Sequence, residues 1–247
     1  MFSIEEDKLI FGAAINFNDI CWIYPLKIAE IIGMGDEAYG QALGIMCLDI
    51  KTTQEMMLKA GVPNEKLPGS AFEYIVGQAS IDGTFLVELQ KAFSTFIREK
   101  IHILPKEKKI LIGDDLKGKR CLTEKNFDDF QNVIRAQNLI PTPEPIPKNE
   151  SPMARKFRLR REQVKEAKRK QALKNGEATS WADQITMLIC LNVGVTYDNV
   201  GKLTIYQFKQ LATRAQTKYK YDLDIRMIAA GADPKKIKPK HWFGKLD

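Results

Sequence analysis

Between positions 141 and 152 the chain reads PTPEPIPKNESP, and no other segment limits its fold as strongly. Pro141, Pro143, Pro145, Pro147 and Pro152 are five of the eleven prolines in a chain of 247 residues. Each removes a backbone donor and holds the preceding residue extended, so a helix cannot run through the segment. The expected result is a semi-rigid spacer. Its spacing resembles a PxxP ligand, but a linker between two regions of opposite charge is the more economical reading. Residues 1–140 carry a net −4 and residues 141–247 a net +11, together the +7 of the whole chain. Arg155 to Lys170 holds nine basic residues against Glu162 and Glu166, so the basicity is local.

The expected fold class is mostly α: two helical domains joined by a Pro-rich linker and a basic helix, with one small β-hairpin in the N-terminal domain. The expected boundaries are 1–140 for an acidic helical domain, 141–152 for the linker, 153–176 for an exposed basic helix and 177–247 for a C-terminal helical interaction domain. With 44% hydrophobic and 28% charged residues, the chain has ordinary globular composition. No apolar run approaches the ~18 residues of a membrane span, and the start, MFSIEEDKLIFG, is acidic where a secretory signal is basic. A cytoplasmic protein without a membrane partner is expected.

Upstream of the linker, Pro25 followed by LKIAEIIG predicts a helix with Gly33 past its end, and Ala38 to Leu48 and Thr53 to Ala60 predict two more. Ser70 with Glu73 forms a capping-box pattern. Phe85, Leu89, Phe93, Phe96, Ile97 and Ile101 recur at helical spacing up to Pro105 and read as core. The segment KKILIGDDLKGKRCL predicts a hairpin turning around Gly113, Asp114, Asp115 and Gly118. Thr123 and Asn126 then open a helix. Downstream, Ser151 and Pro152 open the basic helix, whose apolar residues Phe157, Val164 and Leu173 are too few for a buried face. Ser180 with Asp183 and Thr204 with Gln207 start the C-terminal helices, and Gly231 and Pro234 stop the second.

Catalytic and metal patterns are largely missing. There is no GxxxxGK[ST], GxSxG or HExxH sequence, and Gly33, Gly35 and Gly40 have the wrong spacing for a dinucleotide loop. Asp114 with Asp115, Asp128 with Asp129 and Asp222 with Asp224 read as turn or helix-surface acids rather than metal ligands. Four dispersed cysteines and two histidines, His102 and His241, make neither a disulfide framework nor a zinc site. No catalytic residue, metal or cofactor is assigned. The basic helix offers Arg155, Arg158, Arg160, Arg161, Lys165, Lys168 and Arg169 as phosphate-binding groups, for weak and non-specific nucleic-acid contact. Trp181, Tyr206, Tyr219, Tyr221 and Trp242 are the candidate partner-binding aromatics. Phe208, in helical register with Ile205, Leu211 and Ala212, reads as core, and Trp242 is expected to dock, on its own domain in preference to a partner.

The order of these parts resembles small tail proteins of long-tailed bacteriophages. The acidic helical domain, the spacer, the RRxxxKxxKRK helix and the ending built as SWADQI, LTIYQF, YDLDIR and AAGADPKKIKPKHW are most similar to tail-assembly chaperones, and related tail proteins, of phages of Gram-positive hosts. The likeness is strongest over 180–243. It implies a non-enzymatic protein of the host cytoplasm or the virion that keeps a long helical tape-measure protein soluble during tail assembly. An oligomer is left open. Two other classes stay beside it: a nucleic-acid-binding accessory or virion structural protein using 155–170, and a small enzyme with an unrecognised site.

Overall fold

The computed structural model describes residues 3–114, 119–143, 151, 153, 154, 156–158, 160, 161, 163, 164, 167, 171, 180–191, 193–239, 241 and 242. The fold is mostly α with small antiparallel sheets. Elements follow in the order α1 (Glu6–Ile10), β1 (Ile15–Phe17), β2 (Cys21–Ile23), α2 (Ile28–Met34), α3 (Asp36–Met46), α4 (Ile50–Lys59), α5 (Ala71–Ile81) and α6 (Gly83–Ile97). Then come β3 (Ile101–Leu104), β4 (Lys109–Ile112), β5 (Cys121–Leu122), α7 (Glu124–Gln137), α8 (Trp181–Cys190), α9 (Ile205–Ala229) and α10 (Pro234–Ile237).

The chain forms two compact units, Met1–Thr142 together with Tyr197–Asp247, and Pro143–Thr196. The expected C-terminal domain at 177–247 is thereby divided. Backbone pairing explains why its last part belongs with the N-terminal region. Ile28 N–H donates to Leu203 O and Ile205 N–H to Leu26 O, both at 2.9 Å, forming an isolated bridge between Lys27 and Thr204. Gln207 Nε2 donates to Ile10 O at 2.7 Å and Lys209 Nζ to Asn138 O at 2.9 Å. These bonds satisfy backbone carbonyls that would otherwise end helices or strands unpaired.

Phenylalanines make the core of this first unit. Phe17 packs edge-on against Phe130 with centroids 5.7 Å apart, while Phe93 stacks on the same ring at 5.7 Å. Phe127 joins Phe130 to Phe72. The six-ring group with Phe96 is fully buried, as is Phe208 of α9. Such rings carry the largest apolar area per residue, so a few of them organise several short helices.

The caps expected from sequence form. Glu73 N–H donates to Ser70 Oγ, Thr123 N–H to Asn126 Oδ1, and Thr204 N–H to Gln207 Oε1. Four local features differ from expectation. The helix expected to reach Ile101 stops at Ile97, because Arg98 turns left-handed (φ 58°) and Ile101 pairs with Ile112 as the first residue of β3. Arg98 holds that turn from both sides, bonding Glu30 at 2.8 Å and lying 4.6 Å from the centre of the Tyr24 ring. The hairpin around Gly113 is the β4–β5 part of a three-stranded sheet ordered β3–β4–β5. A second hairpin, β1–β2, was not anticipated; Asn18 and Asp19 both adopt positive φ at its tip, and Asn16 and Asp19 bond each other there. Gly33 lies inside α2, and Gly35 (φ 86°) ends it.

The second unit is described at the helical residues between 153 and 171, of which only Arg158 is half-buried, and at α8. Ser180 and Asp183 cap α8 reciprocally, and the hydrogen bonds from Ser180 hold the Asp183 carboxyl below its ordinary range. Ile185, Leu188 and Val195 are buried.

Candidate protein-binding surfaces

A shallow, open concave surface lies on the outer face of α5. Tyr74, Gly77, Gln78 and Ile81 share that face at helical spacing, and Met57 of α4 with Leu67 and Pro68 forms the opposite wall. The trough encloses about 350 Å³, with Glu65, Lys66 and Glu73 along its rim. Ile81 is 81% exposed at one end. A side chain at Gly77 would meet nothing within 4 Å, so the floor is open where the helix has no Cβ. The wall is loosely seated: α4 buries no residue, and Gln54 Nε2 to Pro68 O, 2.7 Å, links it to the neighbouring loop. An apolar trough with a charged rim and an adaptable methionine wall suits a helix laid into it. Sequence reasoning assigned these positions no role. Their signal is the second apolar face of α5, Tyr74, Gly77 and Ile81, opposite the buried Phe72, Ile75, Val76 and Ala79.

A second cleft, also of about 350 Å³, lies beside the β1–β2 hairpin and is lined by Asn16, Asp19, Cys21, Trp22, Glu99 and Arg120. Arg120 bonds Glu99 at 2.6 Å and Ile20 O at 2.7 Å, tying the hairpin to the three-stranded sheet. Burial pushes the Cys21 thiol up to about 12, with Glu99 adding to the rise and Arg120 opposing it. A protonated, buried thiol next to a satisfied ion pair is a structural arrangement. Among the described residues, no three His, Cys, Asp or Glu side chains cluster so as to hold a metal ion.

The aromatic candidates do not form one surface. Tyr206 is 5% exposed and belongs to the core, where burial raises its hydroxyl pKa with help from Glu6 of α1; it is not an anchor for a partner. Tyr219 is exposed on α9. Tyr221 lies against His241, ring centres 5.1 Å apart, and Trp242 is half-buried on α9, with Arg214 Nη1 donating to its carbonyl at 2.9 Å and Lys218 Nζ 6.0 Å from its ring centre. The tail thus docks on its own unit. Trp181 opens α8 in the other unit and is half-buried. Of the phosphate-binding candidates, Arg160 and Arg161 are exposed and Arg158 half-buried, while Arg155, Lys165, Lys168 and Arg169 lie outside the described residues. Asp115 and Gly118 of the expected hairpin turn do as well, as do Leu173 and most of the proline-rich linker.

With this geometry in place, similarity to known proteins concerns the C-terminal third. Residues 170–247 match the family model of the YomV second domain. The match relates this part of the chain to a phage-related domain family. It begins close to the expected boundary at 177 and straddles the two compact units, taking in α8 from one and α9 and α10 from the other. No curated protein and no solved structure matches the chain. Among the described residues, no helix is long and apolar enough to cross a membrane.

Proposed function

We propose that the protein is a non-enzymatic assembly chaperone of phage tails, which takes helical segments of a tape-measure or another tail protein into the α4–α5 trough and keeps them soluble. The trough carries the reading. It offers apolar side chains at helical spacing, an open floor at Gly77 and a wall that can yield. The phage-related match over 170–247 supports the setting, host cytoplasm or virion. Modest affinity suits the role, because a chaperone must release its client.

The test uses the open floor. Gly77→Leu adds bulk to the trough at a position where a Cβ meets nothing within 4 Å, and improves helix propensity. Co-expression of a tape-measure fragment with the wild-type chain should keep the fragment in the soluble fraction, and Gly77→Leu should lose it while retaining native circular dichroism. Equal solubility with both would overturn the trough as the client site.

A second reading rests on the exposure of Arg160 and Arg161 within the basic helical stretch. It predicts nucleic-acid binding that falls steeply between low and physiological salt. Tight binding that survives physiological salt and is lost in Arg158, Arg160, Arg161 and Lys165→Ser variants would replace the chaperone reading with a nucleic-acid-binding one.

A further inference from the structure

We propose that the folded-back tail after α9 binds single-stranded nucleic acid, with Lys235, Lys236 and Lys238 taking phosphates and the exposed His241 ring taking a base. The inference is independent of the trough and its client, and of the basic stretch at 155–170.

Residues 197–247 carry eleven lysines and arginines against five acids, a net +6, yet they pack with the N-terminal region, whose residues 1–140 carry a net −4. Positive charge therefore has a second centre, inside the first compact unit. It gathers at the C-terminal end, where residues 232–242 read ADPKKIKPKHW with Asp233 as their one acid. Tertiary contacts hold this segment in place. Asp233 caps α10, its carboxylate accepting Lys235 N–H at 2.9 Å, and Lys238 turns left-handed (φ 48°) behind it. The chain then returns along α9. Trp242 O accepts from Arg214 Nη1 at 2.9 Å, Lys218 Nζ stands 6.0 Å from the indole centre, and the His241 ring lies 5.1 Å from that of Tyr221. From the end of α9 at Ala229 back to Lys218 is about 16 Å of helix.

The cations here divide into two groups. Arg214 and Lys218 are committed to holding the tail, and Lys218 is also bonded to Asp222 at 2.6 Å. Lys235, Lys236 and Lys238 are exposed and make no ion pair among the described residues. Pinning these three beside two further cations sets like charges against one another, and a polyanion relieves that repulsion. The aromatic residues select the polyanion. Trp242 and Tyr221 are half-buried, but His241 is exposed, its ring backed by Tyr221. A fixed, exposed ring among lysines is the arrangement that stacks a base between phosphate contacts. An acidic peptide has no use for such a ring. A lipid surface calls for an indole free to enter it, whereas Trp242 is tied to α9. A duplex keeps its bases stacked inside, so a single strand suits the ring.

The test is fluorescence anisotropy of a labelled oligothymidylate of about 20 nucleotides titrated with the full chain, from about 50 to 200 mM salt. The wild type should bind and weaken steeply as salt rises. Changing Lys235, Lys236 and Lys238 together to Ser removes three charges that make no contact holding the tail, so the thermal midpoint should stay while affinity falls about tenfold or more. The slope of log affinity on log salt should flatten by about two, at roughly 0.7 per phosphate contact. His241→Ala should weaken binding about fivefold or more with the slope unchanged, and His241→Phe should restore it, because stacking needs a ring and not a charge. A wild type that does not bind overturns the proposal, as does binding that survives the triple lysine variant because 155–170 carries it. So does a His241→Ala variant that binds like the wild type, a duplex that binds as tightly as the single strand, or polyglutamate that competes equally at equal charge.

Discussion

At the scale of single residues, the fold depends on a few positions where sequence signals are weak. Gly12 adopts φ 66°, and a Cβ there would stand 2.7 Å from the Thr204 methyl. Gly12→Ala should therefore cost about 1–3 kcal/mol, seen as a lower urea midpoint, through strain in the backbone and against the bridge to Lys27. Arg135 is 5% exposed and gives Nη2 to the carbonyls of Cys47 and Leu48 at 2.6 and 3.2 Å. Those carbonyls follow the C-terminus of α3, where a cation also meets the negative end of the helix dipole. Arg135→Ala removes these bonds, leaving Leu48 O with the longer bond from Gln131 Nε2 at 3.4 Å, and should lower stability by about 1–3 kcal/mol in the same measurement. Cys21 links stability to alkaline pH. Its pKa rises from 9.0 to about 12 on folding, so its contribution is complete below pH 9 and is lost as the pH climbs toward 12. Urea melts across that window should show a smaller decline for Cys21→Ala than for the wild type. Part of the decline remains in the variant, since burial also raises Cys47, to about 11.

At the scale of elements, α7 organises the first unit with polar as well as apolar contacts. Gln137 Nε2 donates to Ile23 O, Gln131 Nε2 to Leu48 O, and Tyr39 Oη to Asn138 Oδ1, so one helix end fastens β2, α3 and the loop after it. In α9, by contrast, the start of the helix is buried in the core, and further on His241 and Trp242 of the tail rest on it. Removing the chain after Lys238 deletes the His241 and Trp242 contacts with Tyr221, Arg214 and Lys218. A loss of about 1 kcal/mol is expected, which shifts the thermal midpoint by roughly 2–4 °C in a protein of this size and is read by calorimetry.

For the whole molecule, the division into units determines how a cut chain behaves. Trypsin should cleave within 155–174, where lysines and arginines crowd and the described Arg160 and Arg161 are exposed. The nicked protein should not separate. Residues 197–247 remain paired with the N-terminal region through Leu26, Ile28, Leu203 and Ile205, so both fragments should leave a sizing column together and part only in denaturant. Elution of a free, folded fragment ending in the linker would contradict the shared unit.

Local chemistry was enough to read the mostly helical class, the caps at Ser70, Thr123, Ser180 and Thr204, the core role of Phe208 and the docking of Trp242. Those features depend on residues within a turn or two of each other, or on the cost of leaving an indole in water. The sequence could not reveal that α6 ends at Ile97, because Arg98 carries no stop signal of its own and is held left-handed by Glu30 and Tyr24, far away in the chain. It could not reveal the trough either, since Gly77 looks like a weak point in a helix until its neighbours leave the space above it empty. Tyr206 was read as a partner-binding aromatic, and only α1 packed over it made it core. Proline clustering marked a break in the chain, but chain order does not dictate which parts pack together. Tertiary structure alone decided that 197–247 returns to the first unit, because Leu203 and Ile205 find their backbone partners in Ile28 and Leu26, far away in the chain.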